Sequence, residues 1–160
     1  MRRFCAFIAV AAIAVFAWFG WRENYNPLKT SGSVPEAPYT QEILPSDKVR
    51  MELVEGGVTP TSVKVVLINE DECVYTYGEE FYLHKLIDGQ WYTMSWINDN
   101  VGFMAVGYLL EPGRVEKTYS WKFVHGEMDP GKYRIVTDVF PDGADPDVSS
   151  ILLSVPFTVE

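Results

Sequence analysis

Cysteine is scarce in this sequence, with only Cys5 and Cys73 among 160 residues. Cys5 lies at the start of a long apolar run and Cys73 far beyond it, so a membrane crossed by that run would keep the two thiols apart. An intramolecular disulfide is therefore excluded, and the fold has to be stable without one. Cys73 is interpreted as a small, half-buried apolar residue, with a reactive or dimer-forming thiol as the alternative.

Histidine is equally scarce, and neither His84 nor His125 lies in a spacing typical of a metal site or beside a nucleophile motif such as Gly-x-Ser-x-Gly. The sequence therefore predicts no catalytic residue, no metal ligand, no cofactor and no enzyme activity. The acidic loop 142–147 could surround a calcium ion through its aspartates. Solvated turn residues are the simpler interpretation, and the calcium hypothesis stays open.

Basic residues are too few and too scattered to form a positive surface. The chain has 13 Lys and Arg against 22 Asp and Glu, and its formal net charge is -9. Binding to a phosphate backbone requires a cluster of cationic side chains on one surface. A nucleic-acid partner is therefore excluded.

An uncharged apolar run extends from Phe4 to Trp21, directly after Arg2 and Arg3. An α-helix of this length would measure roughly 27 Å, just enough to cross the hydrocarbon core of a bilayer. Residues 1–23 are predicted to form an apolar N-terminal helix whose residues 4–21 anchor the chain in the cell membrane, with the C-terminal domain outside the cytoplasm. The alternative is a cleaved signal peptide and a secreted protein.

Residues 24–45 contain four prolines separated by Ser, Gly and Thr, and they show no apolar periodicity. Prolines favour extended segments without internal hydrogen bonds, which suits a linker that holds a domain away from a surface. We therefore expect a linker over residues 24–45 and a folded domain over residues 46–160.

Apolar and polar residues alternate repeatedly beyond residue 46, as they do in half-buried strands, and no stretch there has a helical period. Asp88-Gly89 separates two of these segments and is typical of a tight hairpin turn. Pro130-Gly131 makes another turn into a further alternating segment. The pattern predicts an all-β, antiparallel two-sheet sandwich of seven or eight strands, with a small closed barrel as the alternative.

The segment MDPGKYRIV resembles the entry to the penultimate strand of many bacterial immunoglobulin-like domains, and Tyr133 resembles their tyrosine corner. The likeness covers roughly residues 47–160, to an immunoglobulin-like family common in exported proteins of Gram-positive (Firmicutes-type) bacteria. It implies an immunoglobulin-like sandwich and an exported location, and no established activity. The motifs that carry it contain the residues expected to be structural: Asp88, Gly89, Trp91, Gly131 and Tyr133.

Trp96, Asn98, Asp99 and Asn100 lie together in a predicted loop and are the candidate binding residues. We expect a non-enzymatic, membrane-tethered extracytoplasmic module that presents such a loop, or an edge strand, to an unknown protein or cell-envelope partner. An exposed Trp96 ring could instead stack on a sugar. The alternative function is therefore a carbohydrate-binding or cell-wall-binding sandwich.

Overall fold

Alternating sequences form strands through most of residues 33–97 and 102–160, the part of the chain that the computed structural model describes. A single helical turn, α1 (Pro146–Ser149), interrupts the strands near the C-terminus. The strands are β1 (Pro35–Pro38), β2 (Val49–Thr59), β3 (Ser62–Asn69), β4 (Tyr75–Tyr77), β5 (Tyr82–Ile87), β6 (Gln90–Met94), β7 (Tyr108–Leu110), β8 (Gly113–Ser120), β9 (Gly131–Pro141) and β10 (Ile151–Val159).

The strands form two antiparallel sheets. In the seven-stranded first sheet, β9 pairs with β10 along one edge and with β5 and then β4 along the other. The hairpin partner β6 and then β1 extend this sheet beyond β5, and β7 extends it beyond β4. The second sheet is three-stranded, in the order β2-β3-β8. The predicted all-β architecture of two antiparallel sheets is confirmed.

The core lies between the two sheets and is built by the inward-facing residues of their strands. Val63, Val65 and Leu67 of β3 are buried in one cluster with Ile135 and Val139 of β9. Their separation by two or four residues along each strand is what places them on one side of the sheet. Burying each such side chain stabilises the fold by about 1.5–3 kcal/mol relative to leaving it exposed.

The strand count differs from the predicted seven or eight, because ten strands are present in the described residues. The shortest strands are β1, β4 and β7, with four, three and three residues. A segment of this length is too short to display a period of two, and β1 also begins and ends with proline. These strands depend on pairing with a neighbour, and that pairing is not visible in the local sequence.

The Asp88-Gly89 turn has the backbone that a tight hairpin requires, and the Pro130-Gly131 bend lies beside a tyrosine corner. Asp88 and Gly89 join β5 to β6 with φ angles of 49° and 83°, the left-handed conformation that a two-residue hairpin needs. Gly131 begins β9, and the Tyr133 hydroxyl donates a hydrogen bond to the Asp129 carbonyl at 2.9 Å. This bond from side chain to upstream backbone is the defining contact of a tyrosine corner.

The helix and the linker predicted near the N-terminus are covered by the described residues to different extents. The apolar helix predicted over residues 1–23 lies outside the described residues. Within those residues, none of the helical structure is long and apolar enough to span a bilayer. Part of the predicted linker is seen as β1, which pairs with β6 and places Pro38 opposite Tyr92.

Cys73 is exposed and forms no disulfide within the described part of the chain. The interpretation as a half-buried apolar residue was wrong. Its position explains the difference, because Cys73 lies in the connection between β3 and β4 and not on a strand that faces the core.

Candidate functional site

The outer face of the first sheet, the side away from the core, brings together side chains from three strands. His84 of β5 is paired with Arg134 of β9, so the two side chains lie on the same face. Trp91 of β6 is paired with Leu86, which is two residues from His84 and shares its face. Leu83 and Ile135, the chain neighbours of His84 and Arg134, point to the inner face of the sheet and are buried in the core.

Tyr39 completes this group from the segment that follows β1, and we call Tyr39, His84, Trp91 and Arg134 the Arg134 cluster. The Arg134 guanidinium lies over two rings, 4.9 Å from the Tyr39 centroid and 4.6 Å from the Trp91 centroid. Its Nε donates to His84 Nδ1 at 3.0 Å. The Tyr39 and His84 rings are in contact, with centroids 4.1 Å apart. The guanidinium plane is therefore fixed by its neighbours.

His84 is uncharged at neutral pH and acts as an acceptor in this cluster. Only 1% of the residue is exposed, although it lies on the outer face, because neighbouring side chains such as Tyr39 cover it. Burial, with a contribution from the Arg134 charge, lowers the pKa of His84 to about 4. The lone pair on Nδ1 is then free to accept from Arg134, which places the ring proton on Nε2.

Arg134 carries a positive charge that no carboxylate of the described residues neutralises. Burial lowers the pKa of Arg134, and the half-buried side chain makes its one hydrogen bond there through Nε. Arg50, in contrast, makes salt bridges to Glu52 and Glu70 at 3.0 and 2.7 Å. The two Nη nitrogens of Arg134 are therefore left without a protein acceptor among the described residues.

A family model described as "Bacterial Ig-like domain" matches residues 45–157. The chain belongs to this family. No curated protein matches the sequence. The match extends from just before β2 into β10, so it includes strands of both sheets but not β1, and of the Arg134 cluster only Tyr39 lies outside it. Membership of this family agrees with the predicted immunoglobulin-like fold. Immunoglobulin-like domains of this kind are generally non-catalytic modules.

A serine hydroxyl and a histidine ring are in contact within the described residues, and the geometry of the pair does not suit catalysis. Ser33 Oγ lies 3.1 Å from His125 Nδ1, but the same nitrogen lies 2.9 Å from the Ser95 carbonyl. Because a carbonyl only accepts, Nδ1 carries the proton and cannot take one from the serine. His125 is fully buried, and burial lowers its pKa. The contact instead holds the start of β1 against the domain.

The predicted binding loop is described only in part. Trp96 is half-buried, and its ring packs edge-to-face against Phe103 with centroids 5.8 Å apart. Phe103 in turn packs against Phe81 of the core at 5.1 Å. Asn98, Asp99 and Asn100 lie outside the described residues. Trp96 thus belongs to the packing of the domain, and binding by the loop stays a prediction.

Two carboxylates of the acidic loop 142–147 accept hydrogen bonds from the bacterial Ig-like domain itself. Asp142 accepts from Thr76 Oγ1 at 3.0 Å, and Asp145 accepts from the Asp147 amide at 3.0 Å at the start of α1. Across the described part of the chain, no group of three or more His, Cys, Asp or Glu side chains is placed to hold a metal ion.

The sequence alone did not point to the Arg134 cluster. Strand alternation predicts that the Arg134 side chain points to the opposite face of the sheet from Tyr133, and that the His84 side chain points to the opposite face from Leu83. Bringing them together requires the register of β5 on β9, which no local pattern specifies. The one available signal was an arginine within an apolar strand, next to the tyrosine corner.

Proposed function

We propose that this chain is a non-enzymatic, membrane-tethered immunoglobulin-like module that binds a protein or cell-envelope partner outside the cytoplasm. The observation that supports this proposal is the Arg134 cluster on the outer face of the first sheet. Arginine, tryptophan and tyrosine are the residue types most enriched where protein interfaces gain their binding energy. Here they stand next to each other, with Arg134 and Trp91 on strands of the first sheet and Tyr39 in the segment that follows β1.

The arrangement of this face favours recognition over simple packing. Keeping a half-buried guanidinium without a counter-ion is costly, because desolvation is offset only by the two rings and one hydrogen bond. A partner that supplies an acceptor would remove part of this cost. Because Trp91 and His84 lie on paired strands, the site is already ordered before a partner binds, which reduces the entropy lost on association.

Membrane tethering is the second part of the proposal. Residues 4–21 are uncharged and follow Arg2 and Arg3, a pattern that keeps an N-terminus in the cytoplasm and sends the following domain outwards. Membership of the bacterial Ig-like family fits a display module on such a tether. Cleavage of the segment would give a secreted form of the same module.

Site-specific photo-crosslinking in intact cells tests the binding proposal. A photoreactive amino acid replaces Tyr82, which is 44% exposed on the outer face of the first sheet. The matched control replaces Thr118, an exposed residue of β8 on the second sheet. We expect discrete crosslinked species from position 82 and none from position 118. Digestion with a protease or a cell-wall hydrolase then identifies the partner class.

Two results of this experiment contradict the proposal. One is that position 82 gives no crosslinked species at any expression level. The other is that positions 82 and 118 give the same species in the same amounts, because a specific surface would not be matched by the opposite sheet.

A further inference from the structure

We propose that the Arg134 cluster is a binding site for a carboxylate group. The inference rests on the proposed function, because it names the chemistry by which the outer face of the first sheet recognises its partner. The ligand carboxylate would accept hydrogen bonds from the two Nη nitrogens of Arg134, beside the rings of Tyr39 and Trp91.

The arginines of the described residues differ in whether a carboxylate neutralises them. Arg50 is neutralised by two carboxylates, and Arg114 is exposed to solvent. Arg134 is half-buried and has no carboxylate partner among the described residues, in a chain where acidic residues outnumber basic ones by 22 to 13. A ready supply of acidic side chains has therefore not been used at the one arginine that burial makes most costly to leave unpaired.

The neighbours of Arg134 orient the N–H donors of its guanidinium group. The guanidinium is planar, and its Nε is engaged by His84 at 3.0 Å. The ring contacts with Tyr39 and Trp91 hold the plane itself. The donors that remain are the two Nη groups, which together form the fork that matches the two oxygens of a carboxylate.

The charge of the cluster favours a carboxylate over a phosphate or sulfate. Among the described residues, Arg134 is the only cationic side chain that contacts the rings of the cluster. Lys85 is paired with Tyr133, faces the other side of the sheet and lies over the Tyr133 ring. One positive charge neutralises a singly charged ligand, whereas a dianion would keep an excess negative charge and would be repelled more strongly by the net charge of -9.

Acetate is the probe that tests this inference, with acetamide as the neutral molecule of the same shape. The full chain is solubilised in detergent because of its apolar residues 4–21, and side-chain N–H resonances are followed by NMR at constant ionic strength. We expect saturable shifts of the Arg134 Nε–H and Trp91 indole signals with acetate and none with acetamide. Inorganic phosphate at the same concentration should bind more weakly than acetate.

Three variants separate the site from general charge effects. Arg134→Gln should abolish the saturable shift of the Trp91 signal. Arg134→Lys keeps the charge but loses the paired donors, so binding should weaken by about tenfold. Arg114→Gln is the matched control and should bind acetate as the unaltered chain does. If Arg134→Gln fails to fold, the Arg134→Lys comparison and the Nε–H signal of the unaltered chain still carry the test.

The inference is overturned if acetamide shifts the same signals as strongly as acetate, if phosphate binds more tightly, or if Arg134→Gln retains the acetate response. Its failure is distinguishable from failure of the proposed function. Photo-crosslinking from position 82 that persists in Arg134→Gln, without saturable acetate binding, overturns the carboxylate site and leaves the interaction module. Saturable acetate binding without crosslinking supports the carboxylate site and contradicts the interaction module.

Discussion

The hydroxyl oxygen of one residue, Tyr133, holds the start of β9 in place. The Tyr133 hydroxyl reaches back to the Asp129 carbonyl and fixes the angle at which the chain enters β9. The ring itself is buried and stacks with Phe157, with centroids 6.0 Å apart. The residue therefore acts in two ways: its ring fills the core, and its oxygen closes the corner.

Replacing Tyr133 by phenylalanine removes the oxygen and keeps the ring. We expect Tyr133→Phe to lower the free energy of unfolding by about 1 kcal/mol, and by up to about 3 kcal/mol if the Asp129 carbonyl is left without a partner. Chemical denaturation measures this change. Tyr82→Phe is the control, since its hydroxyl bonds to Glu80 at the exposed surface and should change stability little. An unaltered denaturation midpoint for Tyr133→Phe would contradict the assigned role.

His84 gives the domain a pH dependence whose sign follows from its burial. The unfolded chain takes up a proton on this ring near pH 6.5, whereas the folded domain resists until about pH 4. Between these values the unfolded state binds more protons than the folded state. The contribution of His84 to the free energy of unfolding is therefore fully present above pH 6.5 and falls as the pH is lowered towards 4. The loss attributable to His84 is at most about 3 kcal/mol.

The prediction is checked with His84→Gln, which removes the titrating group and keeps a polar side chain. Denaturation midpoints measured from pH 7 to pH 5 should fall less steeply in this variant than in the unaltered chain. A residual slope is expected, because burial lowers the pKa of His125 as well. Equal slopes in both proteins would show that His84 is not protected from protonation in the folded state.

At the scale of the strand, β2 shows how a glycine permits an irregularity in a sheet. The register between β2 and β3 shifts between Leu53 and Val58, and Gly57 lies within this interval. A Cβ atom at Gly57 would lie 2.8 Å from the Lys64 Cβ and 2.9 Å from the Val54 carbonyl. The two strands therefore approach each other too closely for any side chain at this position.

Gly57→Ala should destabilise the domain by roughly 1–3 kcal/mol, the range typical of overpacking in a tight site. Gly78→Ala is the matched control, since a Cβ there would meet its nearest neighbours at 3.7 Å, an ordinary contact distance. Thermal unfolding of both variants checks the prediction. A Gly57→Ala domain as stable as Gly78→Ala would show that the β2–β3 bulge can widen without cost.

The strands also show which features a sequence can predict. Alternation is local, so the period of two in β3 and β9 predicted both sheets, and Asp88-Gly89 predicted the hairpin between β5 and β6. The Arg134 cluster is non-local, because Tyr39 and Arg134 meet only after β1 has joined the sheet and β5 has paired with β9. Their contact depends on register and on a proline-rich segment that local patterns indicated as linker.

At the scale of the whole molecule, Cys73 offers a direct test of the predicted location. The thiol is exposed on the bacterial Ig-like domain. In a Cys5→Ser variant it becomes the one thiol of the chain. A membrane-impermeant maleimide should therefore label Cys73 in intact cells, to the same extent as after lysis. Labelling that occurs only after lysis would place the domain in the cytoplasm. The intact mass of the labelled protein shows whether the N-terminal segment is retained as an anchor or removed as a signal peptide.

The chain joins the sandwich through an edge strand, and this has a mechanical consequence. Backbone bonds hold β1 and its flanking residues to β6 and the residue after it, from the Tyr39 amide to the Trp91 carbonyl at 2.7 Å and from the Ser95 amide to the Val34 carbonyl at 2.8 Å. Tension arriving from upstream therefore loads this strand before the core. We expect a pull to peel β1 away and draw Tyr39 off Arg134 while the other six strands of the first sheet and the whole second sheet stay paired, which would make the module sensitive to force.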